Sequence, residues 1–144
     1  MHILVIKADF EIKVLTETKI LIMKKFLAIS LLILSFTVIY AEEISSVESS
    51  GSWVYLYNSK GKKYKTLSAS TTGRVIGYSS SFFVTQNGSW IYLYNSDGRK
   101  YQTLSASTVG EVIGVAGDTF TSRNGNWIYT WSKEGKKINT RSAH

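Results

Sequence analysis

The chain has no cysteine and no proline, and the first absence already excludes several classes of protein. Without cysteine there is no disulfide framework, no thiol nucleophile, no cysteine-based metal site and no lipid-modified cysteine. Only two histidines occur, His2 and His144, so neither a histidine-dependent triad nor a cluster of histidine ligands is expected. We therefore expect no metal and no other cofactor.

Acidic residues are also few, ten against seventeen Lys and Arg. No acid pair recurs at equivalent positions, as glycoside hydrolysis would need, and no Asp-rich calcium loop is present. Serine and threonine are plentiful, but a hydroxyl without a neighbouring base is not a nucleophile. The sequence therefore predicts a protein that is not an enzyme.

A secretory signal peptide is predicted at residues 23–41. Two lysines follow Met23, an uncharged apolar run covers 26–40, and Ile39 and Ala41 occupy the −3 and −1 positions of a cleavage site. A membrane anchor is the alternative, but the run is short for a spanning helix and two glutamates follow it directly. We expect a secreted or periplasmic protein that is not a lipoprotein, without stable membrane insertion after cleavage.

Residues 1–22 precede this complete signal peptide and do not resemble its basic opening segment. The simplest account is an upstream extension with translation starting at Met23, and an unusually long basic segment is the alternative. The mature domain would then be 42–144, one small domain of 103 residues with a formal charge of +5. That mild basic bias permits weak attraction to acidic glycan, anionic lipid or nucleic acid and requires none of them. Nucleic acid is not an expected partner, because no recognised binding motif is present.

The strongest feature of the chain is an internal repeat of 37 residues. Residues 51–87 and 88–124 are identical at 23 of 37 positions, and a third copy begins at 125–144. The residues before Gly51 align with the ends of the later copies, so 42–50 complete the first unit. The copies end together, at Ser-Ala dipeptides.

Each copy reads as short strands joined by tight turns. In the second copy, 90–95 is an aromatic and aliphatic strand, NSDG is a turn, 99–104 is the return strand, and GEVIG and DTFTSRN are further strands. No segment of 42–144 has a helical period. We therefore predict an all-β domain of about three four-stranded antiparallel repeats, the first lacking its initial strand, joined by Ser/Thr-rich links.

The strand at 53–57 has no polar face, since three aromatic residues alternate with Val54 and Leu56. A strand that is apolar on both faces must be covered on both. We therefore predict that the repeats stack face to face like blades, with the aromatic residues against one neighbour and Val54 and Leu56 against the other. Three blades cannot close a ring, so a homo-oligomer, most simply a homodimer, is expected. A single-chain β-trefoil is the alternative architecture.

Over roughly residues 44–144 the pattern resembles β-propeller blade repeats, in unit length, strand order and the GxWIYLYNxxGxxxxTL hairpin. The resemblance implies a propeller-like fold. In small lectins of that kind, a few blades per chain oligomerise and sugar sites lie between blades beside aromatic residues. The hairpin also looks like the aromatic hairpins of bacterial choline-binding, cell-wall-attachment repeats, which are about half as long.

Two repeated residue classes are candidate binding residues. Aromatic side chains offer platforms for sugar rings, and basic side chains after each turn offer positive charge to an acidic polymer. The same residues could instead be core aromatics and lysines that protect strand edges. The candidates are Trp53, Trp90, Trp127, Trp131, Lys63, Lys100 and Lys137. We expect a binding module for glycan or another envelope polymer, with a structural or protein-interaction role as the alternative.

Overall fold

The computed structural model of the chain describes residues 2–34 and 40–144. It divides into two compact units, Met1–Tyr40 and Ala41–His144. The second unit contains the repeats, so its boundary lies within one residue of the predicted start of the mature domain.

The first unit is a single helix, α1, which spans His2–Leu34. Leucine, isoleucine and lysine are its commonest residues, and it contains neither glycine nor proline, so no strong helix breaker interrupts it. The all-β prediction is incomplete here, and α1 passes through Met23 without a break. The predicted cleavage residue Ile39 lies outside the described residues. None of the described helices combines the length and hydropathy needed to cross a membrane.

The second unit consists of eleven strands and two single helical turns. The turns are α2 (Ala69–Thr72) and α3 (Ala106–Val109). The strands are β1 (Ser46–Ser50), β2 (Trp53–Tyr57), β3 (Lys63–Ser68), β4 (Arg74–Tyr78), β5 (Phe82–Asn87), β6 (Trp90–Asn95), β7 (Lys100–Ser105), β8 (Glu111–Ala116), β9 (Thr119–Asn124), β10 (Trp127–Ser132) and β11 (Lys137–Ser142).

The strands form three antiparallel sheets, each with its strands in chain order. Sheet 1 is β1-β2-β3, sheet 2 is β4-β5-β6-β7 and sheet 3 is β8-β9-β10-β11. The strand counts of three, four and four match the prediction that the first repeat lacks its initial strand. In every sheet the pairing between the last two strands shifts register at the equivalent position, which in sheet 2 lies between Leu93 and Tyr94.

Two apolar layers hold the sheets in a stack. Val54 and Leu56 of sheet 1 pack with Phe83 and Tyr94 of sheet 2, together with Ile44. The opposite face of sheet 2 packs against sheet 3 through Phe82, Val84, Ile91, Leu93, Val109, Val112, Phe120 and Trp131. Sheet 2 is covered on both faces. Sheet 1 is covered only on the face of Val54 and Leu56, so the prediction that the aromatic residues of strand 53–57 pack against a second neighbouring sheet is not met among the described residues.

The stack is open, which corrects the finer architecture expected from the sequence. The sheets do not close on one another and do not have a propeller arrangement. Each described strand pairs only within its own sheet, whereas a trefoil needs strands of different repeats to pair in a barrel. What holds neighbouring sheets together is side-chain packing, with β1 beside β4 and β4 beside β8.

The link between successive sheets is more ordered than its Ser/Thr-rich sequence suggests. It forms the helical turns α2 and α3, which end at Gly73 and Gly110 with φ of 78° and 82°. A side chain at either glycine would collide with the backbone of the next strand but one, at Gln86 or Arg123. Glycine is therefore required there both for its conformation and for close approach.

Candidate functional site

Three tryptophans stand at the same place in the three sheets. Trp53, Trp90 and Trp127 each begin the strand that follows a glycine turn. Their exposed fractions are 50%, 50% and 51%. Because the sheets stack in the same orientation, these indoles mark one edge of the stack, about 10 Å from sheet to sheet. We call this edge the tryptophan end.

Trp131 does not belong with these three, although the sequence made it a candidate. Its side chain is 5% exposed and stacks on Phe120 with ring centroids 5.8 Å apart. Its indole N–H donates to the Ser122 hydroxyl at 2.9 Å, and that hydroxyl donates to the Val109 carbonyl at 2.6 Å. Trp131 is therefore a core residue whose only polar atom is already satisfied.

The three candidate lysines each lie over a tyrosine ring of their own repeat. The Nζ atoms of Lys63, Lys100 and Lys137 are 4.3, 4.1 and 3.7 Å from the ring centroids of Tyr55, Tyr92 and Tyr129. Such cation–π contacts contribute about 0.5–1 kcal/mol at exposed sites. The lysines remain exposed, so each contact fixes an ammonium group without removing it from solvent.

The structure separates the candidate tryptophans from the candidate lysines. In sheet 1, Trp53 pairs with Ser68 at one end of the hairpin, while Tyr57 pairs with Lys63 at the other. The same register recurs in sheets 2 and 3. The tryptophans and the lysines therefore lie at opposite ends of each hairpin and cannot form a single compact site. We call the edge formed by the turns 58–62, 95–99 and 132–136 the hairpin end.

Neighbouring hairpins are tied together at the hairpin end. The Tyr64 hydroxyl donates to the Ser96 carbonyl at 2.8 Å, and the Tyr101 hydroxyl donates to the Lys133 carbonyl at 2.6 Å. Burial, reinforced by nearby carboxylates, raises the pKa of both phenols to about 12. The spacing of the three turns is therefore fixed by hydrogen bonds from each repeat to the next.

The two outer faces of the stack differ from the inner ones. Sheet 3 carries threonines where sheet 2 has apolar core residues, so that Thr119, Thr121 and Thr130 correspond to Phe82, Val84 and Leu93. At the other end, Ser46 and Glu48 correspond to Phe83 and Thr85. Polar substitutions of this kind characterise the terminal repeats of a stacked array. Sequence reasoning missed this signal, although the 37-residue alignment contains it.

The outer face of sheet 1 nevertheless keeps its aromatic row. Tyr55 and Tyr57 are half-buried, and Trp53 is exposed. Burial, followed by the adjacent Glu48 carboxylate, raises the pKa of Tyr57. This face is therefore less polar than the outer face of sheet 3.

Nothing in the described residues suggests reaction chemistry. No group of three His, Asp or Glu residues there is arranged to hold a metal ion. Two of the three carboxylates with lowered pKa make surface ion pairs, Asp97 accepting from Arg99 at 2.7 Å and Asp118 from Lys133 at 3.1 Å, and a hydrogen bond with Ser132 lowers the pKa of Glu134. The prediction that the chain is not an enzyme stays a prediction. No protein-family model and no curated protein matches this chain.

Proposed function

We propose that the β-repeat unit is an exported, non-enzymatic binding module that recognises glycan at the tryptophan end. The observation that carries the proposal is the equal exposure of Trp53, Trp90 and Trp127, close to one half in each repeat. The neighbouring aromatic positions are partly or wholly buried. A large indole kept half-exposed three times is not explained by core packing, and aromatic faces are suitable platforms for sugar rings.

The spacing supports an extended ligand. Equivalent positions in stacked sheets are about 10 Å apart, so three indoles offer contacts along a polymer chain. Contacts that are individually weak then add through the high effective concentration of linked sites. A linear cell-envelope glycan has this form.

The proposal is tested by titrating the protein with soluble cell-wall oligosaccharides and following tryptophan fluorescence. Trp131 is buried and supplies a constant background, so a saturable change reports on the exposed indoles. Each of the single variants Trp53→Ala, Trp90→Ala and Trp127→Ala is expected to weaken binding roughly 3- to 10-fold, because each removes one stacking contact of about 1 kcal/mol. The matched control is Ile138→Ala, which removes an exposed apolar side chain near the hairpin end.

A structural or protein-interaction role is the second candidate. It is favoured by the burial of Tyr94 and Trp131, and by the lysines already placed over tyrosines. Absence of any saturable response across a panel of glycans, with folded variants indistinguishable from the parent, would support this second role and contradict the first.

We also propose that self-association, if the chain forms a homodimer, uses the outer face of sheet 1. The same aromatic positions pack against a preceding sheet in sheets 2 and 3, whereas the outer face of sheet 3 is threonine-rich. A head-to-tail contact would join unlike faces, so the pairing is expected to be two-fold. Light scattering should give a dimer that Tyr57→Ser dissociates, and a monomeric parent would contradict the proposal.

A further inference from the structure

The hairpin end carries every lysine of the second unit. These are Lys60, Lys62, Lys63, Lys65, Lys100, Lys133, Lys136 and Lys137, and Arg99 lies among them. Nine cations therefore face five carboxylates at this end, and the ion pairs Asp97–Arg99 and Asp118–Lys133 are formed within it, while Glu42 accepts from Asn58 at 3.2 Å. The three remaining arginines of the unit lie on strands toward the tryptophan end. The hairpin end is therefore the more positive edge.

Three of these cations occupy the same position in three turns of the same shape. Lys62, Arg99 and Lys136 are 37 residues apart, and all are exposed. In each turn the backbone carbonyl of the cationic residue accepts from the N–H of the turn's first residue, at 2.8–3.0 Å. The cationic residue's own N–H donates to that first residue's side chain, at 3.0, 2.9 and 3.4 Å. The local geometry is thus built three times.

The three turns are also held at a fixed spacing. The Tyr64 and Tyr101 hydroxyls each bind the backbone of the following turn, as described above. Gly98 and Gly135 let these turns approach the preceding outer strand, since a side chain there would press on Lys65 or Gln102. The backbone positions of the three cations are therefore fixed in steps of about 10 Å, so the turns themselves do not have to be ordered on binding.

We propose that this row is a second binding site, separate from the tryptophan end, for a linear polymer that carries phosphate groups. The row carries positive charge at all three positions. The neighbouring set of equivalent positions, by contrast, is mixed in charge, with Lys60, Asp97 and Glu134. Steps of about 10 Å exceed the screening length of about 8 Å at physiological salt, so the three cations repel one another little. A polyanion long enough to span the row can contact all three. A single phosphate can engage only one turn.

The test is binding of inorganic polyphosphate of defined chain length to the full chain, at several salt concentrations. The hairpin variant is Lys62→Gln/Arg99→Gln/Lys136→Gln. The matched control is Arg74→Gln/Arg123→Gln/Arg141→Gln, which removes the same charge and also one cation per repeat, but toward the tryptophan end. The hairpin variant should bind at least tenfold more weakly than the parent, and the control within about twofold.

Salt dependence gives an independent measure. For the parent, the logarithm of the binding constant should fall with the logarithm of salt concentration with a slope near −2, from about 0.7 per contact with a single-stranded polyanion. The slope should approach zero for the hairpin variant. Glycan binding at the tryptophan end should be the same in parent and hairpin variant, so the two proposals can fail separately.

Four outcomes would overturn this inference. The parent could fail to bind polyphosphate at all, or the two triple variants could lose affinity equally, which would indicate attraction by whole-molecule charge. Orthophosphate could compete as well as polyphosphate per phosphate group, which would indicate a single-phosphate site. Finally, the hairpin variant could lose binding to vesicles containing anionic phospholipid while keeping polyphosphate binding, which would indicate a membrane-contacting surface.

Discussion

Tyr64 and Tyr94 can each be replaced by phenylalanine, and the same chemical change should have opposite effects on stability. The Tyr64 hydroxyl donates to the carbonyl of Ser96, a residue only 8% exposed. The Tyr94 side chain is 4% exposed, and its hydroxyl has no hydrogen-bond partner among the described residues. A buried polar group costs free energy unless it is hydrogen-bonded. The Tyr64 hydroxyl should therefore stabilise the folded state, and the Tyr94 hydroxyl should destabilise it.

The magnitudes follow from these contacts. Tyr64→Phe removes a hydrogen bond with a net contribution of about 1 kcal/mol and leaves the Ser96 carbonyl without that donor. The free energy of unfolding should therefore fall by about 1–2 kcal/mol. Tyr94→Phe removes an unpartnered hydroxyl while keeping the ring stacked on Phe83, 4.9 Å between centroids. It should therefore be neutral or stabilising by up to about 1 kcal/mol. In a domain of about 100 residues, 1 kcal/mol shifts Tm by about 4–8 °C.

The assay is urea unfolding followed by tryptophan fluorescence, with thermal unfolding by circular dichroism as a second measurement. Equal m-values for the parent and both variants would show that the compactness of the end states is unchanged. A Tyr94→Phe variant destabilised as much as Tyr64→Phe would refute the reasoning, because the Tyr94 hydroxyl would then have to contribute a favourable bond.

Three further predictions concern pH, glycine and the outer face of sheet 3. The pKa of Tyr64 and of Tyr101 is about 12 in the folded protein against about 10 in the unfolded chain, so their contribution is complete below pH 10 and is lost as pH rises through 12. Tm of the Tyr64→Phe/Tyr101→Phe variant should fall less between pH 10 and 12 than that of the parent, and equal slopes would contradict this. Gly110→Ala should lower the free energy of unfolding by more than about 2 kcal/mol, because it combines strain at positive φ with a collision against the Arg123 backbone. Gly125→Ala, which has a positive φ but open space around it, should cost about 1 kcal/mol. Similar costs for the two variants in urea unfolding would contradict the close approach at Gly110. Thr121→Val/Thr130→Leu should make the outer face of sheet 3 resemble an inner one and increase the solution mass by light scattering, and an unchanged mass would count against that face as a polar cap.

Much of the β-repeat unit could be predicted from the sequence because its signals are local. Alternation in the strand from Trp90, the NSDG turn and the 37-residue period are enough to give three sheets with three, four and four strands. The sequence also indicates that sheet 2 is covered on both faces. These features depend on side-chain period and turn chemistry, which do not require knowledge of distant contacts.

Other features depend on comparison between repeats or on long-range packing. Trp131 could not be recognised as core from its own position, because the hydroxyl that its indole binds belongs to Ser122 on the neighbouring strand. The change from Tyr101 to Ile138 removes the hydroxyl that ties one hairpin to the next, which only a comparison between repeats shows. Helix α1 was divided into an extension and a signal peptide, because targeting patterns describe processing rather than conformation. The separation of tryptophans from lysines follows from strand register, which the sequence does not specify directly.

The contrast between inner and outer faces has a consequence for how such a chain can change in length. Every internal junction joins two apolar faces through the same Ser-Ala link and helical turn, whereas each terminal sheet has polar replacements on its outward side. A duplicated segment 69–105 inserted after Ser105 would meet a compatible neighbour on both sides. The same segment placed beyond sheet 3 would meet threonines. Gene duplication can therefore lengthen this array from its middle, while its ends keep their surface chemistry.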